Sequence, residues 1–232
     1  MQDQQPRKHP SISQLESLRM QELRERVLNT AKESARLGLI IGTSGNVSAR
    51  DSQTGLVAIT PSGIPYDTLC PEDLPIIDIR GQVVEAKEGR KPSSETPLHT
   101  EVYRTRNDVH GVVHTHSTFA TVFSVMGEGI PTVTIPLAVY GPVPVSPFLM
   151  PGSRELAIRA TQSLGPRGKA VLLQNHGVLC VGATVEEALT CAGYVEEGAK
   201  IAYLARVAGR CTKIPQDAAH SIRDKAQEGK SV

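Results

Sequence analysis

Short apolar runs, punctuated by glycine and proline, alternate along this chain with longer segments of helical periodicity. No other feature of the sequence constrains the fold as strongly. From Ser13 onward, Leu15, Leu18, Leu23, Val27, Leu28 and Ala31 recur near helical spacing, with Ser11 or Ser13 as candidate N-cap and Gly38 as C-cap. "GTSGNVSARD" is rich in turn formers, and "SQTG" with "LVAIT" predicts a hairpin leading into a strand. "IIDIRGQVVEA" predicts a second hairpin, turning at Arg80-Gly81. In "KPSSETPLHTEVYRTR" a loop feeds a helix, with Ser93 or Ser94 as cap and Glu95 in the first turn. "GVVHTHS" predicts a strand and "TFATVFSVMG" a helix ended by Gly127.

The next segment, "IPTVTIPLAVYGPVPVSPF", has five prolines in nineteen residues, so short strands joined by irregular turns are expected there. "SRELAIRATQSLG" predicts a helix, and "KAVLLQNHGVLCVG" two strands around a tight Asn175-His176-Gly177 turn. A long helix capped by Thr184 follows. Elements interleave without repeats or a break in composition. One α/β domain over residues 13–211 is the reading, with flexible polar tails expected at 1–12 and 212–232.

A chain of 232 residues can bury a sizeable core. Its formal net charge of +1 argues against a dedicated nucleic-acid or acidic-surface binder, so any bound anion must be held by local groups. The absence of Trp and the few aromatics argue against a stacking platform for single strands. Cys70, Cys180, Cys191 and Cys211 are scattered, with no CxxC pair, and read as small buried hydrophobes. No apolar stretch approaches the ~20 residues of a membrane span, and the N-terminus lacks the apolar core of a signal peptide. A cytoplasmic setting is the expectation.

Chemistry concentrates in the loops. His114 and His116 alternate on a strand, so both project to one face. His176 lies 60 residues beyond His116 in a glycine-flanked turn. Two imidazoles from a strand and one from a turn match an open, catalytic metal site. The plainer alternative makes His114 and His116 partnered core residues and His176 a turn residue. Glu95, 19 residues before His114, follows two serines. That composition suits a base beside a phosphate held by hydroxyls and helix N–H groups. "SGNVS" and "TPSG" add further small residues able to cradle an anion. His99 reads as a structural residue one helical turn beyond Glu95, or else as a contact supporting a site residue, His110 as a loop residue, and His9 and His220 as parts of mobile ends.

"SGNVS", "ITPSGIPYD", "KPSSETPLH", "VVHTHS" and "LLQNHG" stand in the order and spacing of a known family. From about Leu15 to Gly209 the chain resembles the class II aldolase/adducin family, most closely its L-fuculose-phosphate aldolase branch. The resemblance implies a three-layer α/β/α sandwich on a largely antiparallel sheet, assembled as a cyclic homotetramer. It implies a divalent metal on His114, His116 and His176, zinc first with manganese or cobalt as alternatives, and Glu95 as acid/base that can also approach the metal. Phosphate would be held by Asn46, Ser62, Gly63, Ser93 and Ser94, and Tyr140 would serve the aldehyde end of a neighbouring subunit's site. The implied reaction releases dihydroxyacetone phosphate and an aldehyde from a ketose 1-phosphate, either L-fuculose 1-phosphate or a 5-deoxy- or 5-methylthio-pentulose 1-phosphate. Family epimerases carry aspartate after the serines, so Glu95 favours an aldolase. The alternatives are a family decarboxylase, dehydratase or 4-epimerase, and a non-catalytic adducin-like module.

Overall fold

A computed structural model describes residues 12–229 of the chain. In order, the elements are α1 (Ile12–Arg36), β1 (Gly45–Arg50), β2 (Val57–Ile59), β3 (Ile76–Ile77), β4 (Val83–Glu85), α2 (Thr96–Thr105), β5 (Gly111–Thr115) and α3 (Thr118–Met126). There follow α4 (Ile135–Tyr140), β6 (Val145–Ser146), α5 (Arg154–Leu164), β7 (Ala170–Leu173), β8 (Gly177–Gly182), α6 (Val185–Val207) and α7 (Gln216–Gln227).

The strands form one sheet in the order β4-β3-β2-β1-β5-β8-β7-β6. Every pairing is antiparallel except β6 with β7. Alternation of side chains sorts the core into two layers. Val47, Ala49, Val113, Val178 and Cys180 point to one face, where α1, α3, α4 and α6 cover them with Val27, Phe123, Leu137 and Val195 among others. Val57, Ile59, Val112, Leu179 and Val181 point to the other face, under Leu98 and Val102 of α2 and Leu156 and Ala160 of α5. The result is the expected three-layer α/β/α sandwich on a largely antiparallel sheet.

Several expectations need correction. Helix α1 begins at Ile12, so Ser13 is inside it, while Ser11 and the remaining residues of the N-terminal tail lie outside the described residues. "GNVSAR", read as turn-like, is strand β1, because its polar alternate residues meet polar partners on α2 rather than solvent. The proline-rich segment carries helix α4 as well as the short β6, since Pro136 sits at the helix start where its missing N–H costs nothing. The Thr134 hydroxyl caps that helix by accepting from Leu137 N–H. Residues 212–232, expected as a tail, include α7, anchored by Ile214 N–H to Thr132 O and by Arg167 to Asp224. His220 therefore belongs to a helix rather than a mobile end. Among the cysteines, Cys180 and Cys191 are buried as expected, whereas Cys70 is exposed.

Candidate active site

Strand β5 pairs on one side with β1 and on the other with β8, placing His114 opposite Asn46 and opposite Leu179. His116 follows just past the strand end on the same side. The β7–β8 hairpin brings in the third ring. Its tightness depends on Asn175, in the left-handed region at φ 56°, a conformation that asparagine tolerates better than most residues. His176 N–H closes the turn on Leu173 O at 3.0 Å. The next residue, Gly177, lies so close to β5 that a Cβ there would stand 2.4 Å from Thr115 O and 2.9 Å from His116 Cδ2. Only glycine lets the hairpin approach this far.

The three rings meet edge to face, with centroids 4.7 to 4.9 Å apart, and one nitrogen from each lies within 4.8 Å of the other two. The Nε2 atoms of His114 and His116 are 3.0 Å apart. His114 Nδ1 is bonded to Val178 O at 3.0 Å, which fixes the proton on Nδ1 and leaves Nε2 as a free lone pair. Nδ1 of His176 is buried with no partner. Burial pushes the pKa of all three imidazoles down, with the neighbouring rings adding to the effect for His114 and His176, and His176 falls to about 4. Neutral, convergent imidazoles with free lone pairs are the donor set a divalent transition metal takes. The residues fit the metal the sequence implied.

Glu95 is the N-cap position of α2, not a first-turn residue, and neither Ser93 nor Ser94 is the cap. Instead the Ser93 hydroxyl accepts from Glu95 N–H at 3.2 Å. The Glu95 side chain is buried, which raises its pKa, and its one stabilising contact is the N–H of Gly152. Its Oε2 is buried and has no partner. The carboxylate is not among the atoms that converge with the histidines; Glu95 stands one turn before His99, whose ring meets Asn46, the strand partner of His114.

The anion loops are brought together by the end of the sheet. Thr60 N–H donates to Val47 O, Pro61 bridges to Pro92, and Ser93 N–H donates to Thr60 O. Asn46, Ser62, Gly63, Ser93 and Ser94 thus share one corner, next to His114 through the Asn46 pairing. The backbone N–H of Ser62 is already taken by Lys91 O and that of Ser93 by Thr60 O. The groups left to meet a ligand are therefore the hydroxyls, the Asn46 amide and the N–H groups of Gly63 and Ser94.

Tyr140 is not brought to this corner. It stacks on Tyr194 with centroids 5.8 Å apart and lines a cavity with Lys169, Gly182 and Glu187, and burial pushes it up to about 12. That cavity is at the Gly182 end of β8, whereas His176 precedes the Gly177 end, some ~16 Å away at the rise of a strand.

Sequence reasoning missed one feature and left the partners of another unread. One is the segment Pro147 to Gly152, which runs from Gln174, whose Oε1 accepts from Phe148 N–H at 3.1 Å, to Glu95. It carries exposed Phe148 and Met150. The only signal in the sequence was its proline and glycine. The other is His99, whose ring nitrogens both make hydrogen bonds, to Ser48 Oγ at 2.6 Å and to Asn46 Oδ1 at 2.5 Å. Burial drives its pKa to about 3.

A three-histidine cluster able to hold a metal ion, a buried carboxylate and hydroxyl-rich loops mark one end of the largely antiparallel sheet of this α/β/α domain. Residues 25–203 match the class II aldolase and adducin N-terminal domain. The chain is 36% identical over 207 residues to 5-deoxy-D-ribulose 1-phosphate aldolase of Bacillus thuringiensis serovar kurstaki, covering 89% of this chain and 96% of that one. It is 39% identical over 188 residues to an L-fuculose phosphate aldolase of Escherichia coli, covering 80% of this chain and 84% of that one. A solved structure of L-fuculose 1-phosphate aldolase superposes with a TM-score of 0.85 at 34% identity, covering 89% and 96% of the two chains. This chain belongs to the class II aldolase/adducin family.

Proposed function

We propose that this protein is a divalent-metal-dependent aldolase that reversibly cleaves a ketose 1-phosphate to dihydroxyacetone phosphate and an aldehyde. The observation that carries the reading is the neutral histidine cluster beside a buried Glu95 whose Oε2 has no partner. An adducin-like module with no reaction to perform has no use for an orphaned buried carboxylate next to a ligand set, since such a group costs stability.

His114, His116 and His176 would hold the metal; with three imidazoles zinc is the first choice, and manganese or cobalt the alternatives. When bound, the cation supplies Lewis-acid stabilisation for the negative charge that cleavage leaves on the ketose fragment. Asn46, Ser62, Gly63, Ser93 and Ser94 grip the phosphate away from the breaking bond, so its binding energy serves orientation. Glu95 moves the proton at C3 of the dihydroxyacetone phosphate fragment, delivering it on cleavage and removing it in synthesis. Burial raises its pKa, which makes it a stronger base than a solvated glutamate.

Phe148 and Met150, exposed on the segment that donates to Glu95, favour an aldehyde with an apolar substituent. A 5-deoxy- or 5-methylthio-pentulose 1-phosphate fits this better than L-fuculose 1-phosphate, whose aldehyde carries a hydroxyl. Tyr140, remote from its own chain's histidines, can serve only another subunit's site; this supports the homotetramer that the family resemblance implies. Among the described residues no helix is long and apolar enough to cross a membrane, in keeping with the cytoplasmic setting we assign.

The test is Glu95→Gln, which removes the base and keeps the size. The variant is expected to retain metal and bind dihydroxyacetone phosphate, to lose exchange of its C3 proton with deuterated water, and to cleave substrate roughly 10²–10⁴-fold more slowly. Normal exchange in a variant that binds would overturn the assignment. Products released from a panel of phosphorylated sugars and sugar acids separate the aldolase from a decarboxylase, dehydratase or epimerase.

A further inference from the structure

Between α2 and β1 runs a buried polar seam whose members Ser48, His99 and Tyr103 the chemistry described above does not use. Residues 95, 99 and 103 lie one helical turn apart on α2, and Asn46, Ser48 and Arg50 alternate on β1, so the two rows face one another. The Tyr103 hydroxyl contacts Ser48 Oγ at 2.8 Å and donates to Ser48 O at 3.0 Å. Ser48 Oγ meets His99 Nδ1, and His99 Nε2 meets Asn46 Oδ1. Arg50 closes the far end by donating to Tyr103 O at 2.8 Å. Ser48 and His99 are wholly buried, and Tyr103 and Asn46 nearly so. Four consecutive polar residues in an apolar layer are costly unless every partner is satisfied, and here the row terminates at the phosphate corner.

Proton count gives the seam a direction. Because Asn46 Oδ1 can only accept, His99 must carry its proton on Nε2, and its Nδ1 must accept from Ser48 Oγ–H. Tyr103 O–H completes the chain. In this state the carbonyl of Asn46 is occupied and its Nδ2 donors are the atoms turned away from the histidine. Were the proton on Nδ1, the Asn46 amide would have to flip to donate to Nε2, and its carbonyl oxygen would face the bound anion. Oxygen against phosphate is repulsive, so a phosphate selects the first state.

We propose that His99 is a positioning residue acting through Asn46: it fixes the Asn46 amide with its N–H donors toward the phosphate of the substrate, with Ser48 and Tyr103 holding the histidine tautomer. The proposal rests on the reading of the Asn46, Ser62 and Ser93–Ser94 corner as a phosphate site.

Two variants and one spectrum test it. His99→Leu removes the donor to Asn46, whereas His99→Gln keeps an N–H at that place. We expect His99→Leu to raise KM for the ketose 1-phosphate and the inhibition constant of inorganic phosphate about 10- to 100-fold, the range for losing a hydrogen bond to a charged group. Its metal content should be unchanged and kcat within a few-fold, and His99→Gln should recover most of the loss. Nitrogen-15 spectra of the wild-type protein, titrated with inorganic phosphate, should show the Nε2–H tautomer of His99 and a shift of the Asn46 side-chain amide. A His99→Leu variant with wild-type KM and inhibition constant overturns the proposal, as does an Nδ1–H tautomer in the phosphate-saturated protein or an Asn46 amide that ignores phosphate. Should His99→Leu fail to fold, the tautomer and the His99→Gln constants still decide. If the wild type cleaved no ketose phosphate yet Asn46 responded to phosphate as described, the activity assignment would fall and the role of His99 would stand.

Discussion

Adding one methyl group at Gly177 should damage the metal site without touching any ligand. In Gly177→Ala the new Cβ would lie 2.4 Å from Thr115 O and 2.9 Å from His116 Cδ2, where ordinary contact begins at 3.4 Å. Relief requires β8 and β5 to part by about 1 Å where they carry the histidines, and a close-packed interior resists such a shift. Neither obstacle is a flexible chain end: one is a ladder carbonyl and the other a ring whose position matters. Overpacking of this kind costs roughly 1–3 kcal/mol. Displacing His116 from His114 and His176 should weaken metal binding about 10- to 100-fold, the range for disturbing groups that orient ligands. Urea unfolding gives the first quantity, and metal retained after dialysis against a graded chelator gives the second. Gly193→Ala is the control: nothing lies within 4 Å of its Cβ in α6, and alanine there should stabilise by roughly 0.5–1 kcal/mol. A Gly177→Ala protein with unchanged stability and unchanged metal affinity would refute the claim that this glycine sets the approach of the hairpin.

His176→Ala should lose bound metal while keeping a cooperative unfolding transition, because the ring sits in a turn and not in either apolar layer; metal analysis with unfolding curves checks both halves. His99 should govern acid stability. Burial lowers its pKa to about 3 from an unfolded value near 6.5, so its contribution is complete above pH 6.5 and is lost as the pH falls toward 3. The slope for one such group is about 1.4 kcal/mol per pH unit, so between pH 6.5 and 4.5 His99→Gln should lose roughly 2–3 kcal/mol less stability than the wild type. Parallel slopes for the two proteins would contradict the linkage.

How much of this was legible depended on whether the physics was local. The histidine triad was readable because strand alternation alone aims His114 and His116 together, and the Asn175-His176-Gly177 turn declares its own geometry. Helices with a cap and an apolar stripe, such as α5 behind Ser153 and α6 behind Thr184, announced themselves the same way. β1 was hidden because its inward face is polar, which makes sense only once α2 supplies His99 and Tyr103. α4 was hidden by its prolines, which mark a helix start as readily as a break. Glu95 was found for its position after two serines, yet the contact from Gly152 joins segments 57 residues apart and left no trace in either. Tyr140 marks the limit of a single chain: the family resemblance named it for a neighbouring subunit's site, and within this chain it lies at the far end of β8 from the histidines.

The pairing of Asn46 with His114 joins two stretches of chain that are otherwise separate hairpin systems, β1 to β4 before it and β5 to β8 after it. In the function proposed above, the first stretch, extended to Ser94, would grip the anion and the second would supply the metal ligands. A slip of one residue at that single strand pair would turn the two toward opposite faces and end both functions together.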